Sequence, residues 1–390
     1  MGDRIVYADN AATTPVCPAA LKAMMPYFSE QYGNPSAMYS FGAETKSDVE
    51  NARKRIAKCL NARSNEVFYT SGGTEADNWA LWGAAEKQKS RGGHIITTMA
   101  EHSAVYKTCQ RMESLGYTVT YLPIDKDGQV SCEALENAMQ DDTVLVSIMM
   151  ANNEIGTIYP IKELCAIAHR HKALFHTDAV QAVGHIPVDV RELGVDMLSL
   201  SAHKFGGPKG MGALFIKMGL LLPPLLTGGG QERGLRSGTT NAPGAMGMAA
   251  ALENACQNLG PNTEKVQALR DELIDGMLKI DGARLTGDAE NRLPGIASFL
   301  FEGLEHPPLV ATLGEAGIYA SAGSSCSAGS GDPSRILLAM GYSGDVAMSS
   351  LRFSLGEQNT QEDVDYILAQ MPLALEAVRA KGAHTKILFH

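Results

Sequence analysis

Two short segments of the chain carry an acid and an amine in an arrangement that suggests one cofactor site. Residues 176–181 read HTDAVQ and contain Asp178, and residues 199–206 read SLSAHKFG and contain Lys204, twenty-six positions later. A lysine that forms a Schiff base and an aspartate that keeps a pyridine nitrogen protonated are the two protein groups that pyridoxal phosphate needs as an electron sink. The pairing therefore favours a pyridoxal phosphate site and chemistry on amino acids.

Each of these two residues also has a commoner explanation. Asp178 ends an apolar run, where an aspartate is most often a helix N-cap. Burial of a carboxylate there without a cation would cost several kcal/mol, however, and a protonated pyridine nitrogen would supply that cation. A random lysine is most often exposed, but Ser201 and His203 flank Lys204 with phosphate-binding groups and a glycine-rich stretch follows it. The combination favours the cofactor site.

A turn rich in glycine and hydroxyl groups offers a place for the phosphate. Residues 70–78 read TSGGTEADN and lie where a strand is predicted to end and a helix to begin. Free backbone N–H groups at such a helix start can bind a phosphate, although an ordinary capped turn explains this stretch equally well on its own. It is not a Walker loop, because no Gly-Lys-Ser/Thr follows.

One cysteine stands apart from the other six. Cys326 lies in ASAGSSCSAGSG at residues 320–331, where every neighbour is small. This composition favours a nucleophilic thiol on a loop that moves, whereas most of the other thiols are expected to be small buried hydrophobes. An odd number of cysteines without a Cys-x-x-Cys pair indicates neither a disulfide framework nor a zinc site, so we expect no metal and a reducing, cytoplasmic compartment.

The elements that must position these residues follow from the periodicity. From about residue 64, short β-rich runs alternate with helical ones, which predicts an α/β fold with a mostly parallel sheet and ligands at the carboxyl ends of its strands. The predicted strands are Val67–Thr70, His94–Thr98, Tyr117–Leu122, Thr143–Met150, Ala173–Asp178, Asp196–Ser201 and Gly212–Lys217. Residues 228–234, GGGQERG, are predicted to form a mobile loop after the last of them.

A smaller domain is predicted beyond the helix at about residues 242–259, because Gly260-Pro261-Asn262 reads as a linker. Ile296–Phe301 and Leu351–Leu355 are predicted strands there, and Asp363–Lys381 is a predicted amphipathic helix, which together indicate an α+β layer. We therefore expect a large domain at residues 15–260, and a small domain of residues 1–14 and 261–390 that carries the Cys326 loop.

Composition narrows the class of protein. With 390 residues, 45% of them hydrophobic, the chain can form one large and one small core. The formal charge of −10 argues against a primary role in nucleic-acid binding. The most apolar run, residues 219–226, is too short and proline-rich to span a membrane, which takes about 20 residues, and the charged N-terminus is not a secretory signal.

Together these motifs resemble the cysteine desulfurases, pyridoxal phosphate enzymes of aminotransferase fold type I and the class V aminotransferase family that supply sulfur for iron–sulfur cluster assembly and related pathways. The resemblance extends from YADNAATTP at residues 7–15 to LRFSLG at residues 351–356. Further landmarks are GNPS at 33–36, EH at 101–102, NNEIG at 152–156 and RSGT at 236–239. The cysteine loop is long, as in the nitrogen-fixation and iron–sulfur branch.

The resemblance implies a chemical role for five residues. Lys204 would be the Schiff-base lysine, Asp178 the partner of the pyridine nitrogen, and His102 the ring that stacks on the cofactor and transfers protons. Gln181 would hydrogen-bond the phenolic oxygen. Cys326 would attack the sulfur of L-cysteine, which would leave L-alanine and a persulfide that passes its sulfur to an acceptor.

The resemblance also implies how cofactor and substrate are held. Arg352 and Asn34 would bind the substrate carboxylate, and Asn153 would lie beside both substrate and cofactor. Thr239 would reach the cofactor phosphate from a second subunit, which implies a homodimer. The remaining residues of the implied phosphate cradle are Gly73, Thr74, Ser201 and His203.

Two alternatives remain open from the sequence. The chain could be a class V aminotransferase, or another lyase acting on cysteine or selenocysteine, in which Cys326 has no persulfide role. It could also be a degenerate member of the fold that acts only as an interaction protein in sulfur assembly. The implied partner is a sulfur-acceptor protein such as an iron–sulfur scaffold, although the tail at residues 385–390, TKILFH, differs from the segment that housekeeping members use to meet theirs.

Overall fold

The computed structural model describes residues 4–301, 303–304, 306–322 and 332–387. Within these residues the chain forms thirteen strands and fourteen α-helices. The strands are β1 (Val6–Tyr7), β2 (Val67–Thr70), β3 (His94–Thr98), β4 (Thr118–Leu122), β5 (Thr143–Ser147), β6 (Leu174–Asp178), β7 (Met197–Ser201), β8 (Gly212–Ile216), β9 (Ala283–Leu285), β10 (Ile296–Phe301), β11 (Ile318–Tyr319), β12 (Ser321–Ala322) and β13 (Ser350–Ser354).

The helices begin and end as follows: α1 (Pro18–Met24), α2 (Pro26–Ser29), α3 (Ser40–Cys59), α4 (Gly73–Lys87), α5 (Ser103–Glu113), α6 (Cys132–Ala138), α7 (Ile161–Arg170), α8 (Val190–Leu193), α9 (Ala242–Gln257), α10 (Leu259–Met277), α11 (His306–Glu315), α12 (Arg335–Ala339), α13 (Gly344–Ala347) and α14 (Gln361–Ile387). None of the helices in the described part of the chain is long and apolar enough to cross a membrane.

The centre of the fold is a seven-stranded sheet in the order β2-β8-β7-β6-β5-β3-β4. Only β8 runs antiparallel to its neighbours, and the remaining pairs are parallel. The sequence-based prediction of a mostly parallel seven-stranded α/β sheet is confirmed. All seven strands occur where the alternation placed them, although several are shorter than predicted by one to three residues at an end.

Both faces of this sheet are buried. Successive side chains of a strand point to opposite faces, so a strand can contribute to a hydrophobic cluster on each face. Val146 of β5 and Phe175 of β6 belong to one hydrophobic cluster, to which α3, α7 and α9 contribute. Leu145 of β5 and Leu214 of β8 belong to another, to which α4 and α5 contribute. This two-sided burial explains why the strands read as nearly continuous apolar runs.

A second, antiparallel sheet has the strand order β12-β13-β10-β9 and a core of its own. Phe299 and Phe353 pack there against residues of α10 and α14. The N-terminus joins this unit, because β1 pairs with β11 and Val6 lies in the same core. The predicted small α+β unit is therefore present, while the domain limits at residues 14/15 and 260/261 stay a prediction.

The predicted linker at Gly260-Pro261-Asn262 is wrong in detail, because these residues lie in the first turn of α10. The interruption between α9 and α10 is a single residue, Asn258, whose backbone leaves the helical region. Pro261 is tolerated because the first turn of a helix does not need its backbone N–H as an internal donor.

Candidate active site

A cavity of about 250 Å³ lies at the carboxyl ends of β6 and β7, the position at which open α/β sheets bind their ligands. Nine of the ten predicted cofactor-binding residues line it: Gly73, Thr74, His102, Asn153, Asp178, Gln181, Ser201, His203 and Lys204. The structure adds Ala11, Ala12, Asp77, Met149 and Val180 to this lining.

Lys204 ends a short 3₁₀ turn, Ala202–Lys204, that directly follows β7. Its ammonium group donates hydrogen bonds to the carbonyl oxygens of Ala11, at 2.6 Å, and Ala12, at 2.9 Å. The turn is tightly packed, since a Cβ atom on Gly207 would lie 2.8 Å from the Cβ of Ala202. The lysine is therefore placed by its own turn and by the N-terminal segment.

Asp178 is a buried carboxylate at the end of β6, with 4% of its surface exposed. Its Oδ1 accepts a hydrogen bond of 2.9 Å from the backbone N–H of Val180. Burial raises the pKa of Asp178, and the nearby His102 and Lys204 oppose that rise. A cation placed in the cavity would stabilise the ionised form further.

His102 is the N-cap of α5, and its Nδ1 accepts a hydrogen bond of 3.1 Å from the backbone N–H of Ala104. Because an amide N–H can only donate, the neutral ring carries its proton on Nε2. Gln181 is held in turn by Ala11, whose carbonyl oxygen accepts a hydrogen bond of 2.9 Å from the side-chain amide.

The predicted phosphate cradle surrounds the N-terminus of α4, where Gly73 and Thr74 are the first two helical residues. Ser201 is buried at the end of β7 beside this turn. The His203 ring bonds the Thr13 hydroxyl through Nδ1 at 3.0 Å, and burial lowers the pKa of His203 to about 4, so the ring is neutral near pH 7. Backbone N–H groups and neutral donors of this kind suit a phosphate.

Arg352 lies on β13 of the small sheet and its side chain is fully buried, and it is not itself part of the cavity lining. One guanidinium nitrogen donates to the carbonyl oxygen of Asn153 at 2.7 Å, and another to Oδ1 of Asp9 at 2.7 Å. The side-chain Oδ1 of Asn153 is buried and has no hydrogen-bond partner within the described residues. A cation and an unsatisfied acceptor thus lie beside one another.

Besides Arg352, three predicted residues are not among those that line this cavity. Asn34 is exposed, and its Oδ1 accepts a hydrogen bond of 2.9 Å from the backbone N–H of Ser36. Thr239 is exposed on the wall of a separate cavity of about 170 Å³. Cys326 lies outside the described residues. The cavity shows which of the predicted residues lie together, and the roles of all of them stay predictions.

Sequence reasoning missed Asp77, a fully buried acid of α4 that lines the same cavity. Burial and the charge of Asp178 raise the pKa of Asp77 well above its usual range. Its Oδ1 lies 3.6 Å from Nε2 of His176. The sequence feature that could have revealed Asp77 is its spacing, because it follows Gly73 by four residues and so lies on the same face of the helix.

The groups in the cavity match the chemistry of pyridoxal phosphate. They are an amine, a buried carboxylate at a strand end, a histidine, and a helix N-terminus flanked by a hydroxyl. The family model for aminotransferase class V matches residues 6–367. The chain belongs to the class V aminotransferase family.

Individual relatives agree with this family assignment. A cysteine desulfurase IscS of Methanosarcina thermophila is 48% identical over 97% of this chain and 93% of its own length. A solved NifS-like protein superposes with a TM-score of 0.91, at 40% identity over 96% of this chain and all of its own. A third relative was solved as SspA in complex with cysteine, with a TM-score of 0.81 and 34% identity over 91% of this chain and 99% of its own.

Proposed function

We propose that this class V family member is a cysteine desulfurase that uses pyridoxal phosphate to convert L-cysteine to L-alanine. The observation that carries the proposal is that the Lys204 amine and the buried Asp178 carboxylate line one cavity with the N-terminus of α4. The desulfurases among its relatives and the cysteine complex of SspA support this choice of substrate.

In this proposal three residues hold the cofactor ring. When bound, pyridoxal phosphate supplies an electron sink that accepts charge from the substrate's α-carbon. Lys204 provides its covalent attachment. Asp178 keeps the pyridine nitrogen protonated, and the cation relieves the desolvation that the carboxylate suffers in the cavity. Gln181, fixed by the carbonyl of Ala11, bonds the phenolic oxygen.

The phosphate lies at the start of α4 in this scheme. The first N–H groups of that helix are not used by helical hydrogen bonds, and the helix dipole favours an anion there. Ser201 and the neutral His203 add donors without adding charge. Thr239 of a second subunit completes the cradle, so the proposed enzyme is a homodimer.

The substrate is held by Arg352, whose planar guanidinium group suits a carboxylate. An incoming carboxylate would take the place of Asp9 on the guanidinium, which remains tied to Asn153 through the latter's carbonyl. Asn34 is proposed as a second contact to the carboxylate. His102 moves protons at Nε2, since Nδ1 is occupied by the Ala104 amide.

Sulfur transfer is assigned to Cys326. Its thiolate attacks the sulfur of L-cysteine, the carbon–sulfur bond breaks, and the carbon takes up a proton, so the products are L-alanine and a Cys326 persulfide. One thiol and one cysteine become one persulfide and one alanine, and the step needs no external oxidant or reductant. The persulfide then passes its sulfur to an acceptor, for which an iron–sulfur scaffold protein is the proposed partner.

The test is to incubate the purified enzyme with L-cysteine and to measure the mass of the peptide containing Cys326 by mass spectrometry. We expect a mass gain of one sulfur on that peptide, and loss of alanine formation in Cys326→Ser with cofactor binding retained. Cys132→Ser is the control, because Cys132 is a half-buried thiol of α6, away from the cavity. Alanine formation at the wild-type rate in Cys326→Ser would instead favour a lyase or aminotransferase in which Cys326 has no persulfide role.

A further inference from the structure

The loop at residues 226–241, which includes the segment 228–234 predicted to be mobile and which carries Thr239, contains two strained residues. Glu232 has φ = 48° and Arg233 has φ = 61°. Both lie in the left-handed region that residues other than glycine seldom adopt. Such strain persists only when the surrounding contacts impose it, and it is concentrated at functional sites.

Glu232 supplies the strongest of these contacts. Its carboxylate accepts two hydrogen bonds from the guanidinium group of Arg53, at 2.6 and 2.7 Å, and a third, of 2.9 Å, from the backbone N–H of Tyr69. The side chains of Arg53 and Glu232 are only 4% and 7% exposed. Arg53 also donates to the carbonyl oxygen of Val67 at 2.8 Å, and so ties the loop to β2.

Two further arginines anchor the same loop. Arg233 donates to the carbonyl oxygens of Asn65, at 2.7 Å, and Val67, at 3.0 Å. Arg236 makes a two-pronged ion pair with Glu75 in the first turn of α4, at 2.7 and 2.9 Å. The loop is therefore anchored at Glu232, Arg233 and Arg236, by contacts that its glycine-rich composition does not indicate.

The anchored loop carries Thr239, which is not part of the lining of its own chain's cofactor cavity. Gly238 is held by a hydrogen bond of 3.0 Å from its N–H to Oε1 of Gln231, and Thr239 follows it as an exposed residue. Thr239 does not line the cavity that holds Lys204 in the described part of this chain. As an exposed residue outside that cavity, Thr239 can contact a ligand that another copy of the chain holds.

We propose that Glu232 is a positioning residue that acts in trans: through Arg53 and the Tyr69 amide it holds the loop so that Thr239 meets the cofactor phosphate of a second copy of this chain. This inference rests on the proposed function for the cofactor and the dimer. It adds two points. The strained backbone at Glu232 and Arg233 sets the position of Thr239. The contacts of Glu232 that anchor the loop lie in one subunit, and the cofactor that Thr239 contacts is bound by the other.

The first measurement is hydrogen–deuterium exchange of the cofactor-free protein. We expect Glu232→Gln to accelerate amide exchange in residues 226–241 and to leave α4 protected. Because Glu232→Gln removes the buried carboxylate that pairs with Arg53, which keeps its pair with the exposed Glu50, and can destabilise the fold, the paired replacement Arg53→Met with Glu232→Met serves as a second variant. Glu253→Gln, which breaks the ion pair of Glu253 with Arg55 at 2.5 Å, is the control and should leave the loop unchanged.

The second measurement uses mixed dimers in which one chain carries Lys204→Ala, so that only the other chain can attach pyridoxal phosphate covalently. Glu232→Gln on the Lys204→Ala chain should weaken cofactor binding at the intact site by about tenfold or more, as expected for one lost hydrogen bond to a charged group. The same change on the chain that retains Lys204 should leave that affinity unchanged. The affinity for the cofactor is measured from its absorbance at equilibrium, so the measurement does not depend on catalytic turnover.

The outcomes separate this inference from the function on which it rests. Equal weakening in both arrangements, or unchanged exchange in residues 226–241 of both variants, would overturn the trans role of Glu232 and leave the proposed function intact. A wild-type protein that binds no pyridoxal phosphate, or that is a monomer, would overturn both.

Discussion

Replacement of Asp178 by asparagine should change two properties of the protein in opposite directions. The cofactor-free protein should become more stable near neutral pH, and its affinity for pyridoxal phosphate should fall. Both effects have the same origin, because a buried carboxylate is costly in the cofactor-free protein and is stabilised when a cation faces it.

The stability effect depends on pH with a defined sign. Burial raises the pKa of Asp178 above its ordinary value of 3.8. The native state therefore holds this proton more tightly than the unfolded state, and its contribution to stability is lost as the pH rises above 3.8 toward the folded pKa. Asparagine does not titrate. The two proteins should therefore be about equally stable at acid pH and diverge as the pH rises.

The magnitude follows from the contacts of the side chain. Asparagine can keep the hydrogen bond from Val180 to Oδ1, so the change removes mainly the desolvated charge. A poorly satisfied buried polar group costs about 1–3 kcal/mol, and the lost attraction of His102 and Lys204 reduces the gain. We expect about 1–2 kcal/mol of added stability near neutral pH.

The cofactor effect is larger and opposite. A hydrogen bond between charged groups contributes about 1.5–3 kcal/mol, so Asp178→Asn should weaken binding of pyridoxal phosphate about 10- to 150-fold. The measurements are thermal unfolding of the cofactor-free protein over a pH series and titration with the cofactor by absorbance. A variant that binds the cofactor normally, or that is less stable than the wild type at neutral pH, would refute the reasoning.

Asp196→Asn is the matched control for this experiment. Asp196 is also nearly buried, 7% exposed, and lies next to β7. Its carboxylate is already paired, with Nε2 of His169 at 2.8 Å, the N–H of Phe175 at 2.9 Å and Nζ of Lys217 at 3.4 Å. Removal of this paired charge should lower stability and leave cofactor affinity unchanged.

Three further changes test the placement of the site. Gly207→Ala brings a Cβ within 2.8 Å of Ala202, so it should displace the turn that carries Lys204 and weaken cofactor attachment, measured by absorbance. Arg352→Lys should raise KM for L-cysteine more than it lowers kcat, because the lysine keeps the charge but loses the planar fork. Burial raises the pKa of Glu101 from 4.5 to about 8, so wild-type stability should fall as the pH rises between these values, and Glu101→Gln should flatten that dependence in thermal unfolding.

The sheet and the centre of the site were predictable because both depend on local patterns. Apolar runs that end in polar residues gave β6 and β7, and these strands prove to be neighbours, with Asp178 opposite Ser199 in the ladder. The carboxyl ends of parallel neighbours lie on one edge of a sheet. Asp178 and the turn with Lys204 are therefore close, as the shared cavity shows.

The loop at residues 226–241 shows where local patterns fail. Three successive glycines and a polar stretch indicate flexibility by composition. The contacts that anchor the loop come from Arg53, 179 residues before Glu232, and from Glu75 at the start of α4. Side chains so distant in sequence give no local signal, and the left-handed conformation at two residues other than glycine is imposed by those distant partners.

Residues 7–15 carry part of the family resemblance, but their contacts to the site were not predicted, because the groups they contribute are backbone atoms. The carbonyl oxygens of Ala11 and Ala12 bind the Lys204 ammonium, and that of Ala11 also accepts the Gln181 amide. Any residue supplies such a carbonyl, so residue type cannot reveal it. What holds these carbonyls in place is the docking of the segment at both sides, by the N–H of Ala11 to the Ser354 hydroxyl and by the N–H of Thr14 to the His203 carbonyl. The small sheet thereby helps to position the Lys204 amine, which follows a strand of the large sheet. A substitution that loosens the N-terminal segment should therefore displace this amine even where the substituted residue makes no contact with Lys204.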